Sequence, residues 1–119
     1  MVFERYSCFF ALAAIALLPS CAAMEGAQDF DRHRMSSIRV SEADPEIYIF
    51  EAQISAEYPA NNDVAEAVRM EWIKSWMEVR KFCPDGFKVV ERRPFTKDEP
   101  NPYRSDLRYQ LRCKFESAF

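Results

Sequence analysis

The side chains able to do chemistry are few, and their spacing limits what they could do. The chain of 119 residues holds one histidine, His33, and four cysteines, Cys8, Cys21, Cys83 and Cys113. A serine or cysteine nucleophile needs a base within hydrogen-bond reach. The one histidine sits in a polar stretch, Asp29-Phe30-Asp31-Arg32-His33, which reads as a solvated linker. One His and two Asp flanked by cations also make a poor metal set. Glu66, Glu71 and Glu78 interleave with Arg69, Lys74 and Lys81 at helical spacing, the pattern of a solvated, ion-paired helix face. No phosphate loop, dinucleotide fingerprint or zinc spacing is present. A net charge of -3 and a pI near 5.2 lack the basic footprint of a nucleic-acid binder. These residues predict a protein without catalysis, cofactor, metal or small-molecule ligand.

The cysteines divide by position. Cys8 lies in an apolar run, residues 7–18, SCFFALAAIALL, preceded by Arg5. A membrane-spanning helix needs about 20 apolar residues, so a run of this length matches the apolar core of an export signal. It ends in Leu18-Pro19-Ser20-Cys21. This resembles the lipobox of bacterial lipoproteins, with Pro19 departing from the usual small residue. The resemblance implies cleavage before Cys21 and lipidation of its thiol and new amino terminus. Ala22, where an Asp would retain the protein in the inner membrane, implies the outer membrane, periplasmic face. Cleavage after Ala22 or Ala23 is the alternative, and would release a soluble periplasmic protein. The expected organisation is a signal peptide over 1–20, a lipidated tether over 21–37 and a folded domain over 38–119.

Cys83 and Cys113 then remain in an exported domain, where disulfides persist. A hairpin centred near residues 98–99 sets Cys113 opposite residues 83–85, so the two are expected to be bridged.

The elements that position these residues follow from periodicity. Ile38 and Val40 suggest a short first strand. From Ile47 to Tyr58 the even positions are apolar and the odd positions from Glu51 are polar, the alternation of a half-buried strand. Asn61-Asn62-Asp63 supplies cap oxygens for a helix over 63–82. At 100° per residue, Val64, Ala65, Val68, Trp72, Ser75, Trp76, Val79, Phe82 and Cys83 fall in one uncharged arc of about 120°, the expected core face. Cys83-Pro84-Asp85-Gly86 reads as a type I turn. A strand over Phe87–Arg92, a proline-rich loop over Pro94–Arg104 and an alternating strand over Leu107–Phe115 complete the chain.

The predicted fold is an α+β two-layer sandwich, one long helix on a small mixed or antiparallel sheet of three to four strands with a β-α-β-β core. A right-handed crossover makes the two main strands flanking the helix parallel. Glu51 and Glu57 on the first of them, and Arg108, Arg112 and Lys114 on the last, favour a central position for the last strand.

Two surfaces are candidates for a protein partner. Met70, Ile73 and Met77 form an apolar strip on the helix, outside the predicted core arc. Phe95 and Tyr103 flank the proline-stiffened loop. The resulting expectation is a lipid-anchored envelope protein with a non-catalytic interaction or accessory domain. A periplasmic inhibitor or immunity-type protein, acting on a toxin or cell-wall hydrolase, is the alternative.

Overall fold

The computed structural model describes residues 29–115. The signal segment over 1–20 and Cys21 lie outside the described residues. The chain divides into two units, Met1–Asp31 and Arg32–Phe119, and the second forms the domain described below.

Its regular elements are β1 (Ser36–Val40), β2 (Tyr48–Ala52), α1 (Asp63–Arg80), β3 (Phe87–Pro94) and β4 (Leu107–Cys113). The sheet order is β1-β2-β4-β3 and every neighbouring pair is antiparallel. This is the predicted α+β arrangement. β4 lies between β2 and β3, so β2 and β3 run in the same direction, as a crossover through α1 requires. Opposite charge does meet across the centre of the sheet, where Glu51 pairs in register with Arg108.

The domain begins earlier than the sequence suggested. Residues 32–35 are helical, Arg32 and Met35 are buried, and Ser36 and Ser37 already belong to β1. Arg32 donates to Ser75 Oγ and its guanidinium lies 4.9 Å from the Trp76 ring centroid. His33 meets the same indole edge-on at 5.0 Å. The stretch expected to be a free tether is therefore, in its second half, attached to the helix.

β2 is shorter than its alternation predicted. It ends at Ala52, Glu57 lies outside it and Ile54 is exposed. After Ala52 the backbone turns to other partners. Gln53 N–H donates to Met35 O at 2.8 Å, and Ile54 N–H donates to the Asp106 carboxylate at 2.8 Å.

Helix α1 starts where the cap oxygens placed it. Asn62 Oδ1 accepts from Ala65 N–H at 2.9 Å. It stops at Lys81, whose left-handed backbone (φ 59°) closes the C-terminus. The turn that follows is the expected one, with Gly86 N–H donating to Cys83 O at 3.0 Å. Gly86 has φ 101°, a conformation that a side chain would strain.

The buried face of α1 is rotated from the uncharged arc. Ala65, Trp72 and Trp76 face the core as predicted, together with Arg69, Ile73 and Met77. Val64 and Val79, assigned to that arc, are 75% and 57% exposed. Ile73 and Met77 pack with Met35, Ile38, Phe50 and Leu111, and Met70 lies half-buried against the same cluster. They are core residues, and the proposed Met70-Ile73-Met77 docking strip does not exist as a free surface.

The cause of the rotation is Arg69. A stripe chosen to exclude charge must swing away from it, yet its side chain is fully buried. Its Nε donates to Glu66 at 2.9 Å and to Tyr109 Oη at 3.1 Å. Its terminal nitrogens donate to the carbonyl oxygens of Tyr58, Pro59 and Ala60 at 3.3, 2.9 and 3.1 Å. A guanidinium with these acceptors can be buried because each lost water is replaced.

Candidate functional site

The face of the sheet turned away from α1 carries a row of polar residues. One rung crosses all four strands as Ser37, Glu51, Arg108 and Arg93. Arg39 lies two residues from Ser37 and so shares its face. Together they place three arginines and one carboxylate on a few strand positions, with opposite charges as cross-strand neighbours.

The second carboxylate comes from the β3–β4 loop. Glu99 receives Arg93 Nη1 at 2.6 Å and Nη2 at 3.0 Å, a two-pronged contact, and lies 3.7 Å from Arg108 Nε. It also accepts from the Thr96 backbone N–H at 2.7 Å and from the Thr96 hydroxyl at 3.0 Å. The rest of the loop is fixed at its base. Asn101 exchanges two hydrogen bonds with the Ser105 backbone, at 2.7 and 2.8 Å, and Gln53 Nε2 donates to Tyr103 O at 3.0 Å.

The loop and the β1–β2 turn bound a cleft of about 470 Å³ over this face. Its floor is Glu51 and Arg108, and its walls include Arg39, Pro100, Pro102 and Tyr103. Glu51, on the polar side of the β2 alternation, is nevertheless only 2% exposed. Arg39 Nη2 satisfies it at 3.1 Å while remaining half-exposed itself. Tyr103 is 65% exposed at the rim.

Chemically, the cleft offers charged donors and acceptors beside an aromatic ring. Three arginines and three glutamates, Glu42 among them, give both signs of charge within reach of an exposed phenol ring and two rigid prolines. Ser41, on the wall, is occupied as a turn acceptor for the Ala43 and Asp44 N–H groups. No group of three or more potential metal ligands occurs among the described residues.

Of the residues singled out from sequence, Tyr103 lines this cleft, Phe95 sits half-buried at the loop base, and Cys83 is bonded to Cys113. Met70, Ile73 and Met77 belong to the opposite layer, and Cys21 lies outside the described residues. The sequence reading missed Arg39, Arg93 and Glu99. The signal for Arg39 was present in the strand alternation, which sets it on the face of Glu51, whereas Arg93 reaches that face only because the bulge between Val89 and Glu91 reverses the alternation of β3. Glu99 gave no such signal, because its role depends on how the loop returns.

Glu99 also makes the loop pH-sensitive. The Arg93 hydrogen bonds, foremost, outweigh desolvation and, with those from Thr96, hold its carboxyl at about 2, below the ordinary 4.5. A depressed carboxylate stabilises the fold fully above its unfolded value and loses that contribution as pH falls through the folded one. The Thr96 amide resonance should therefore titrate with a midpoint near 2, and Glu99→Gln should abolish the transition. A midpoint near 4.5 would show that the Arg93–Glu99 contact does not hold in solution.

A second concavity, of about 410 Å³, lies at the end of α1 over Met77, Phe82, Cys83 and Phe87, with Lys74 and Lys81 on its rim. It is more apolar than the cleft and carries fewer polar groups to orient a ligand. Set beside protein-family models, curated proteins and solved structures, the chain finds no match in any of the three.

Proposed function

We propose that this chain is a lipid-anchored envelope protein, held by Cys21 on the periplasmic face of the outer membrane, whose domain binds a protein partner through the charged cleft. The domain has no catalytic step in this reading. The observation that supports it best is Tyr103, a large aromatic side chain 65% exposed beside Arg39, Arg108 and two prolines. Aromatic and arginine residues on a stiff loop contribute disproportionately at protein interfaces. The paired charges suit a partner of mixed polarity better than a highly charged polymer.

Among the described residues no helix is long and apolar enough to cross a membrane, so the attachment in this proposal rests on the lipid. Two or more acyl chains hold a protein stably where one is marginal.

The test uses the full chain in its host cell. A photo-crosslinking side chain at Tyr103 should capture a defined partner, and Arg108→Glu in the same chain should remove the adduct. The same probe at Val79, on the exposed back of α1, should capture nothing. Equal capture at both positions would overturn the cleft assignment. Cys21→Ala should move the protein from the membrane to the soluble fraction, and unchanged membrane association would overturn the anchor.

A further inference from the structure

Strand β3 is an open edge of the sheet, with only β4 beside it. It is eight residues long and exposed over most of its length, with Val89 at 39% and Val90 at 43%. The buried core draws on α1, β1, β2 and β4, while β3 contributes only Phe87 at its margin. A long edge with unpaired backbone groups is a template for another strand unless it is guarded. Lys88 and the β-bulge between Val89 and Glu91 have the form of such guards. Their arrangement also does something else.

The segment Lys88-Val89-Val90-Glu91 is charge-complementary to itself when read in reverse. Around a two-fold axis between Val89 and Val90, Lys88 of one copy faces Glu91 of the other, and the valines face each other. Such an axis stands perpendicular to the sheet, so paired residues must share a face. In a regular strand, residues three apart point to opposite faces, and this register would be forbidden. The bulge removes the obstacle. Lys88 pairs with Arg112 and Glu91 with Gln110, two positions apart on β4, so Lys88 and Glu91 lie on the same face. Phe87 and Arg92, paired with Cys113 and Tyr109, share the other face in the same way. The one extra residue, Val90, makes the edge symmetric in both charge and facing.

We propose that β3 pairs antiparallel with β3 of a second copy of this chain, giving a two-fold dimer with a continuous eight-stranded sheet. The two Lys88–Glu91 contacts set the register, and Val89 and Val90 are covered at the axis. The interface is self-complementary, as a two-fold contact must be. It adjoins the charged cleft through Arg93, whose Nε donates to Glu91 at 3.1 Å, but it does not rest on the proposed partner.

The test co-expresses two differently tagged full-length copies and measures how much of one is recovered with the other after detergent extraction. Native copies should co-purify. Lys88→Glu in both copies, or Glu91→Lys in both, sets like charges against each other twice and should weaken pairing about tenfold or more. A Lys88→Glu copy mixed with a Glu91→Lys copy restores opposite charge at both contacts, and recovery should return to the native level. That rescue cannot come from a folding defect in either variant. Failure of native copies to co-purify would overturn the proposal, leaving the bulge and Lys88 as edge guards. Undiminished recovery of the single variants, or failure of the mixed pair, would overturn it equally.

Discussion

Arg69→Ala should destabilise the domain by about 3–5 kcal/mol, the range for removing one partner from a buried charged network. The side chain is fully buried, and its loss removes a donor from Glu66, Tyr109 Oη and the carbonyl oxygens of Tyr58, Pro59 and Ala60 and empties the space that the guanidinium fills. For a domain of this size the melting temperature should fall by more than about 10 °C. Arg69→Met separates polar loss from packing loss. Methionine fills much of the stem volume but satisfies no acceptor, so most of the destabilisation should persist. If Arg69→Met unfolds within about 1 kcal/mol of native in urea, the network does not hold the fold. Tyr109→Phe is a milder probe. It deletes the hydroxyl that donates to Glu66 at 2.7 Å and should cost about 1 kcal/mol. Burial, first, and that hydrogen bond raise the Tyr109 hydroxyl above the ordinary phenol range, so it stays protonated and donating under physiological conditions.

The same residue shows where sequence patterning was informative and where it was not. Strand order followed from Glu51 against Arg108, and the strand faces of β4 followed from Leu107, Tyr109 and Leu111, all buried as their alternation required. Helix caps followed from Asn62. Periodicity works there because each residue type matches its environment. Arg69 breaks that match, since its burial depends on carbonyls of residues 58–60, supplied by a loop that no period describes. Excluding it turned the predicted core stripe of α1 toward Val64 and Val79 and released Ile73 and Met77 to an imagined surface. A tyrosine placed inward on β4 was the available warning, because a buried hydroxyl needs a partner. The cleft was half legible for a related reason. Its floor, Glu51 and Arg108, follows strand alternation, whereas Glu99 reaches it only through the path of the loop.

Removing the disulfide should have the next largest effect. Cys83 follows the C-terminus of α1 and Cys113 ends β4, at a sequence separation of 30 and a Cα separation of 4.9 Å. Closing a loop of that length is worth about 3–4 kcal/mol in the chain-entropy model. The loop encloses β3, the Glu99 segment and β4, so opening it enlarges the unfolded ensemble, while the native state loses only the two sulfurs from the core cluster and its margin. Cys83→Ala with Cys113→Ala should therefore lower stability by that amount, read by tryptophan fluorescence in urea, with the sheet retained by circular dichroism at low denaturant. A reductant should act on the native chain in the same direction and have no effect on the double variant. Loss of less than about 1 kcal/mol would show that the bridge constrains nothing the fold does not already hold. Arg69 and the bridge share no bonding partner, so their effects should add to within about 0.5 kcal/mol. Their sum, about 6–9 kcal/mol, reaches the whole stability of a typical small domain. The triple variant should accordingly be largely unfolded at 25 °C, while each parent remains folded. A folded triple variant would mean that one of the two contributions is much smaller than its geometry requires.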